Sequence, residues 1–441
     1  MLLSVTRCDE MSHRQRLNGA GSLSLASVSA MKMDAQLAPA LFVASALAMS
    51  ACASSDGEAN ELGETEAGDT DSSTSEGEEA GEATGDEADD ETGDEGGEEL
   101  TPIPILGNGS HDVGTLDVTI ISSPSDGLAF PSDLEFKPGV LRELWVTNRS
   151  DNSMVVYQDA GLPSQQSMKF QGSFDNGNHF LAKPASLAFA ENGNLATAQQ
   201  ENTPTQPGDP QDGSFMGPTM WTSDLNVFNG GHSSHLDMLH NSPLASGIAW
   251  ESGNSYWVFD GTHGSLTYYR FNADHGLGGT DHTDGEIYRY VDGQLGYENS
   301  IPSHLAWDPV AGVVYAADTG NVRVVRMDPN TASLGGPLGP NYDGLTTMTY
   351  MNGAELEVLV DGPSIEPAMV MPSGLELIDG ILFVSDAIAG RIYGLSPDGE
   401  LLDWLDTGLP AGSTVGMAFD EEGSMYVADP LNSQIRKFSV K

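Results

Sequence analysis

The chain has 441 residues, of which 65 are acidic and 17 are Lys or Arg, so its formal net charge is −48 at pH 7. A charge of this sign repels a phosphate backbone, which argues against nucleic acid as a partner. The only two cysteines are Cys8 and Cys52. The chain beyond them can therefore hold no disulfide, no cysteine nucleophile and no zinc-thiolate site.

Residues 1–52 are predicted to be a leader and signal peptide. Residues 31–52, MKMDAQLAPALFVASALAMSAC, contain a lysine, an apolar run over residues 37–49 and small residues before Cys52. The apolar run is too short for a transmembrane helix. The segment resembles a bacterial lipoprotein signal, which implies that Cys52 is lipidated and that the protein lies in the cell envelope, on the periplasmic or outer-membrane side. The alternative is a cleaved secretory peptide, and translation starting at Met31 or Met33 would exclude residues 1–30.

Residues 53–110 are predicted to form a disordered acidic linker. Residues 53–100 contain 20 acidic residues and no Lys or Arg, with many Gly, Ser and Thr. A segment this polar cannot bury enough apolar surface to offset the entropy of ordering. As a flexible coil it would span about 40 Å, which suits a tether; weak calcium binding is the alternative.

Residues 111–441 contain the same unit six times: a strand, a turn, a second strand and a third strand. The copies begin at Phe130, Lys183, Leu244, Ile301, Met371 and Ser413. Their second strands end at Asn148, Gln199, Asp260, Asp318, Asp386 and Asp429. Apolar residues alternate along the strands, which indicates sheets with buried faces. Because one unit is too small to bury its own sheet, we predict an all-β, six-bladed β-propeller in which neighbouring units stack.

The units PSHLAW…VYAADTGNVRVV and GMAF…MYVADPLNSQIRKF resemble NHL repeats, the blades of six-bladed β-propellers. The resemblance covers roughly residues 112–441 and implies that the aspartate ending the second strand stabilises its hairpin. The chain ends directly after a third strand, so the last blade lacks a fourth. Residues 113–121, VGTLDVTII, are predicted to supply it and close the ring.

A first candidate metal site consists of His235, Asp237, His240 and His304. His304 precedes the first buried residue of its copy, a position held by Asp133, Ser186, Gly247, Gly374 and Gly416 in the others. These positions are expected to ring the mouth of the central channel, where imidazoles and carboxylates suit a divalent metal. The segment is similar to the zinc-binding motifs of the peptidyl-hydroxyglycine lyase propeller, with the histidine shifted by one position. The alternative is ordinary hydrogen-bonded loop histidines.

A second candidate cation site is the loop with Asp274, His275, Asp281, His282 and Asp284. Its oxygen ligands could hold calcium, whereas the alternative is a polar loop that uses Asp and Gly for turns. The loop is expected on the face of the propeller opposite to the first site. The two groups are therefore not expected to form one site.

No nucleophile elbow, HExxH motif, phosphate-binding loop or dinucleotide fingerprint occurs in the sequence. We therefore expect a monomeric, lipid-anchored binding or scaffolding module for a protein, peptide or glycan. The alternative is a metal-dependent lyase or hydrolase with one divalent ion, zinc or calcium, at the channel mouth.

Overall fold

The computed structural model describes residues 101–171, 180–201 and 216–441. The predicted signal peptide with Cys52, and residues 53–100 of the predicted linker, lie outside the described residues. Within the described part of the chain the secondary structure is strands and short 3-10 turns, and no helix there is long and apolar enough to cross a membrane. The turns are Pro104–Leu106, Val113–Thr115, Pro124–Asp126, His232–Ser234, Thr319–Asn321, Pro329–Thr331 and Gly362–Ser364.

The described residues form 26 strands, and 24 of these make six four-stranded antiparallel blades, each counted here from its innermost strand. Blade 1 consists of β2 (Pro131–Phe136), β3 (Leu144–Asn148), β4 (Ser153–Gln158) and β5 (Gln166–Gln171). Blade 2 consists of β6 (Pro184–Phe189), β7 (Leu195–Gln199), β8 (Thr219–Trp221) and β9 (His235–Met238). Blade 3 consists of β10 (Ala245–Ser252), β11 (Ser255–Asp260), β12 (Ser265–Arg270) and β13 (Glu286–Tyr290).

The second half of the ring follows the same plan. Blade 4 consists of β14 (Leu305–Asp308), β15 (Val313–Asp318), β16 (Arg323–Asp328) and β19 (Glu355–Asp361). Blade 5 consists of β20 (Pro372–Ile378), β21 (Ile381–Asp386), β22 (Arg391–Leu395) and β23 (Leu401–Asp406). Blade 6 consists of β24 (Met417–Phe419), β25 (Met425–Asp429), β26 (Gln434–Val440) and the N-terminal strand β1 (Leu116–Ser122). The predicted six-bladed propeller is confirmed.

The ring is closed by pairing the two ends of the propeller sequence. Strand β1 runs antiparallel to β26, with Leu116 opposite Val440 and Thr119 opposite Lys437. The strand predicted over residues 113–121 therefore provides the fourth strand of blade 6, displaced by a few residues. Closure in this way joins the first and last strands of the propeller sequence in a single blade and covers the edge of β26.

Apolar packing between blades provides the core. Six clusters of buried side chains each draw on two neighbouring blades, so that every inter-blade interface has its own cluster. Residues 101–110, which the sequence assigns to the linker, join one of them: Ile103 and Leu106 are buried in the cluster shared by blades 5 and 6. The backbone N–H of Ile103 also donates to the Asp403 carboxylate at 2.7 Å. Residues 101–110 are therefore part of the propeller rather than of the linker, because this short apolar segment packs against blades 5 and 6.

One element was not anticipated from the sequence. A hairpin of β17 (Ser333–Pro337) and β18 (Thr347–Asn352) is inserted between the third and fourth strands of blade 4. Strand β18 pairs in parallel with β13 and extends blade 3 to six strands. The insertion thereby covers what would be the free outer edge of blade 3.

The polar residues that end the second strands hold the hairpins together. The Asp386 carboxylate accepts hydrogen bonds from the backbone N–H groups of Val370, Met371, Ile388 and Ala389. Asp429 pairs with Arg436 at 3.0 Å in the same way that Asp318 pairs with Arg323 at 2.6 Å. These buried contacts agree with the structural role that the repeat implies.

Candidate functional site

The innermost strands of the six blades meet closely at one level of the central channel. Asp133, Ser186, Gly247, His304, Gly374 and Gly416 occupy equivalent positions there. A Cβ atom on Gly247 would lie 1.9 Å from the Ser303 carbonyl oxygen, and one on Gly416 would lie 2.7 Å from the Cα of Asp133. Because these glycines have no side chain, the backbones of neighbouring innermost strands can come into contact. The channel is therefore narrow at this level, where the side chains of His304 and Asp133 lie.

The imidazole of His304 bridges opposite sides of the ring. It starts from blade 4, and its Nδ1 lies 3.4 Å from Oδ1 of Asp133 in blade 1. The side chain is 5% exposed, and its Nε2 is buried with no hydrogen-bond partner among the described residues. Burial lowers the pKa of His304 to about 3, although a hydrogen bond with the Ala185 backbone acts to raise it. A neutral imidazole therefore closes one end of the channel.

Glu135 and Glu376 lie one step further along the channel, two residues beyond Asp133 and Gly374. They come from blades 1 and 5 and line a cavity of about 190 Å³. The other positions of this level that line the cavity are small residues, and aromatic side chains complete its wall: Ala188, Ala249, Ala306, Phe189, Trp250 and Trp307. Both glutamates are half-buried, and neither has a hydrogen bond or ion pair with another described residue.

Three neighbouring carboxyl groups lie in this part of the channel, and each has a raised pKa. Burial raises the pKa of Glu135 to about 8. Burial, together with the charges of Glu135 and Asp133, raises the pKa of Glu376 well above its usual range. Burial and the charge of Glu135 likewise raise the pKa of Asp133, although backbone N–H groups of Leu187 and Leu134 donate to its carboxylate. The cavity thus concentrates acidic groups without a compensating cation among the described residues.

Sequence reasoning missed Glu135 and Glu376, although a signal was present. Both follow the first buried residue of their repeat, and the other four copies carry alanine there: Ala188, Ala249, Ala306 and Ala418. Two glutamates in a ring of alanines are conspicuous once the repeats are aligned.

The structure does not bring His235, Asp237 and His240 to His304. Residues 235–238 form β9, the outermost strand of blade 2, rather than a loop at the channel mouth. Three strand spacings, about 14 Å, separate β9 from the innermost strand of its blade. His240 lies just beyond β9 and its Nδ1 is 2.6 Å from Oδ1 of Asp343, in the turn of the inserted hairpin. The predicted four-residue site is therefore divided between the channel and the rim.

The two histidine groups that the sequence assigned to opposite faces in fact meet at the rim. His282 Nδ1 lies 2.8 Å, and His275 Nε2 lies 4.0 Å, from Oδ1 of Asp237. The loop between β12 and β13 runs along β9, with the backbone N–H groups of His275 and Gly278 donating to the carbonyls of Leu236 and His235. The expectation of separate sites was wrong because it placed Asp237 in a loop instead of an outer strand.

The acidic residues of the second candidate loop form hydrogen bonds within the loop, whereas its histidines contact Asp237. Asp274, Asp281 and Asp284 are exposed and accept hydrogen bonds from the backbone N–H groups of Gly276, Thr283 and Ala273. These contacts are typical of turn-forming aspartates. Only His275 and His282 are directed inward, toward Asp237.

The rim histidines lie in a mainly buried, polar environment. Burial lowers the pKa of His235 to about 4. Burial raises the pKa of Asp237, despite its hydrogen bond to His282. Burial opposes charge on His282 as well, but the hydrogen bond and negative charge of Asp237 outweigh it and raise the pKa of His282.

Comparison with known proteins identifies related architecture only. No family model and no curated protein matches the chain. An auxiliary nutrient binding protein from Bacteroides ovatus has 13% identity and a TM-score of 0.47, covering 74% of this chain and 76% of its own. A gluconolactonase from Xanthomonas campestris has 12% identity and a TM-score of 0.48, with coverages of 78% and 94%. Virginiamycin B lyase from Staphylococcus aureus has 11% identity and a TM-score of 0.43, with coverages of 74% and 100%.

Proposed function

We propose that this protein is an extracytoplasmic binding propeller whose central cavity receives a cationic group of its ligand. The observation that carries the proposal is the pair Glu135 and Glu376, two carboxyl groups that face a cavity and have no cationic partner among the described residues. Carboxyl groups partly shielded from bulk water attract a cation more strongly than fully exposed ones do. A bound cation would therefore supply the charge that this part of the protein lacks.

The lining of the cavity favours an organic cation. Trp250 and Trp307 contribute aromatic surface beside the carboxyl groups, and the faces of aromatic rings attract ammonium groups. The volume of about 190 Å³ equals the liquid volume of roughly six water molecules. This is enough for a primary or quaternary ammonium group with a short apolar stem, such as a lysine side chain of a peptide.

The proposed location of the protein rests on residues 31–100. We propose that Cys52 is lipidated and holds the propeller at a membrane, with the acidic segment 53–100 as a tether. The order of charge, apolar run and cysteine in residues 31–52 supports this assignment. The propeller would then act as a monomer on the periplasmic or outer-membrane side, presented to peptide or glycan ligands that carry amines.

The enzyme alternative has less support than the binding function. A metal at the channel mouth required His235 or His240 beside His304, and both residues lie at the outer edge of blade 2. His304 instead contacts Asp133 and closes the channel.

Isothermal titration calorimetry with tetramethylammonium, n-butylamine and a lysine-containing tripeptide tests the proposal. At pH 8 the wild-type protein should bind at least one of these probes with one site per chain, and Glu135→Gln and Glu376→Gln should each weaken binding at least tenfold. Glu421→Gln, a change at an exposed position, is the matched control and should bind as wild type does. If all three probes fail to bind the wild-type protein, the cavity is not an organic-cation site. The same conclusion follows if the two channel variants bind the probes as tightly as the wild-type protein does. Tight calcium binding at the glutamates would also reject an amine ligand.

A further inference from the structure

A second site is formed at the rim of the propeller, away from the channel. We propose that Asp237, His275 and His282 bind one divalent transition-metal ion of the zinc class, which ties blade 2 to blade 3. One ligand atom from each of the three side chains lies within 4.8 Å of the others. Two ligands of a tetrahedral zinc ion, each about 2.0–2.1 Å from the metal, are about 3.3 Å apart. Small side-chain rotations would therefore bring the three atoms to ligand distance.

Two of the three side chains have buried atoms without a partner. Neither Oδ2 of Asp237 nor Nε2 of His275 forms a hydrogen bond with any described residue. The Asp237 side chain is 0% exposed and that of His275 is 4% exposed. Unpaired polar atoms at this depth are costly and call for an explanation. A metal ion bound between them would satisfy both.

The environment of His275 prepares it for metal binding. Its Nδ1 lies 2.7 Å from the carbonyl oxygen of Gly276. Because a carbonyl can only accept, Nδ1 carries the proton and donates a hydrogen bond to that oxygen. The unprotonated nitrogen is then Nε2, which lies on the side of Asp237. A backbone carbonyl that fixes the ring and tautomer of a histidine in this way is a usual companion of metal-binding histidines.

The third ligand and the backbone complete the arrangement. His282 Nδ1 already contacts Oδ1 of Asp237 at 2.8 Å, so a metal would take the place of the proton between these atoms. The loop carrying both histidines is held on β9 by the backbone bonds from His275 to Leu236 and from Gly278 to His235. The ligands are thus positioned before a metal arrives, which lowers the entropy lost on binding.

The donor set selects the class of metal. Two imidazole nitrogens and one carboxylate oxygen suit zinc and its neighbours, whereas calcium prefers six or more oxygen ligands. His235 is next to the group, with its ring centroid 4.8 Å from that of His275. Its Nδ1 lies 2.5 Å from the carbonyl oxygen of His232, so it too leaves Nε2 unprotonated. A water molecule or His235 would provide the fourth ligand.

The test measures metal on the full-length chain, purified in detergent without chelator. Zinc is titrated in excess Mg²⁺, which occupies weak sites on the acidic segment, and bound zinc is quantified by plasma mass spectrometry. We expect one zinc per chain, a rise in melting temperature on binding, and affinity at least a hundredfold weaker in His275→Ala, His282→Ala and Asp237→Asn. His111→Ala, which alters a histidine stacked on Trp404 in blade 5, should retain the zinc. Glu135→Gln should also retain it, since the site is independent of the channel.

Two results would overturn the proposal. One is the absence of stoichiometric zinc in the wild-type protein, and the other is wild-type affinity in the three variants. The His282 side chain is 19% exposed and is the most exposed of the three ligands, so His282→Ala should disturb the fold least, and circular dichroism verifies the fold of each variant. The visible spectrum of the Co²⁺-loaded wild-type protein provides a measurement without mutation: a four-coordinate spectrum supports the site, and an octahedral one contradicts it.

Discussion

Nδ1 of His304 lies 3.4 Å from Oδ1 of Asp133, and this contact joins blade 4 to blade 1 across the central channel. Neither residue is more than 5% exposed. The channel is therefore closed at this level by a neutral imidazole and a carboxyl group. Beyond this closure the glutamate-lined cavity begins.

His304 should make the protein sensitive to acid. Its pKa is lowered from 6.5 to about 3 by burial, so the unfolded chain takes up a proton at a higher pH than the native protein does. Stability is then fully present above pH 6.5 and is lost as pH falls toward 3. Urea unfolding at several pH values measures the loss of unfolding free energy over this range. We expect the loss to be smaller by about 2 to 4 kcal/mol in His304→Asn than in the wild-type protein, since one pKa unit corresponds to about 1.4 kcal/mol. Equal losses in both proteins would contradict a buried neutral imidazole.

Glu135 should have the opposite effect at higher pH. Its pKa is raised from 4.5 to about 8, so the native protein keeps a proton that the unfolded chain releases. The stability associated with this group is present below pH 4.5 and is lost as pH rises through 8. We expect Glu135→Gln to reduce the decline in unfolding free energy between pH 5 and pH 8.5 by at least about 1 kcal/mol. A variant with an unchanged decline would show that the carboxyl group titrates normally.

Gly247 should tolerate no side chain. A Cβ atom there would lie 1.9 Å from the carbonyl oxygen of Ser303 in the next blade. We predict that Gly247→Ala forces the two innermost strands apart and lowers the free energy of unfolding by about 3 kcal/mol. The control is Gly336→Ala, because nothing lies within 4 Å of a Cβ atom at Gly336; it should change stability by less than about 0.5 kcal/mol. Similar effects in the two variants would mean that the innermost strands of blades 3 and 4 are not in close contact at Gly247.

Asp386 should stabilise its hairpin through its charge and both of its oxygens. Oδ2 accepts from the backbone N–H of Val370 at 2.6 Å, and Oδ1 accepts from Met371, Ile388 and Ala389. Asp386→Asn keeps the shape but replaces one acceptor by a donor, so we expect a loss of about 2 kcal/mol in thermal or urea unfolding. Asp379→Asn alters an exposed residue and should change stability by less than about 0.5 kcal/mol. A neutral result at Asp386 would remove the structural role assigned to the strand-ending aspartates.

The sequence alone determined the architecture of the propeller. Alternating apolar residues, turn residues and strand-ending aspartates such as Asp318 and Asp429 are local features, so each blade could be recognised within its own segment. The closing strand was also predictable, since the last repeat lacked a fourth strand and residues 113–121 had no other partner. The inserted hairpin β17–β18 was missed because its parallel pairing with β13 joins segments about 60 residues apart.

Only the tertiary structure decided which side chains meet. His235–Met238 has only four residues and was too short to be recognised as an outer strand, and this strand carries Asp237 to the loop with His275 and His282. Glu135 and Glu376 are 241 positions apart in sequence, and they share a cavity because closure of the ring places blades 1 and 5 around one channel. Local patterns specify strands and turns, whereas a site formed by several blades depends on how the blades stack and how the ring closes.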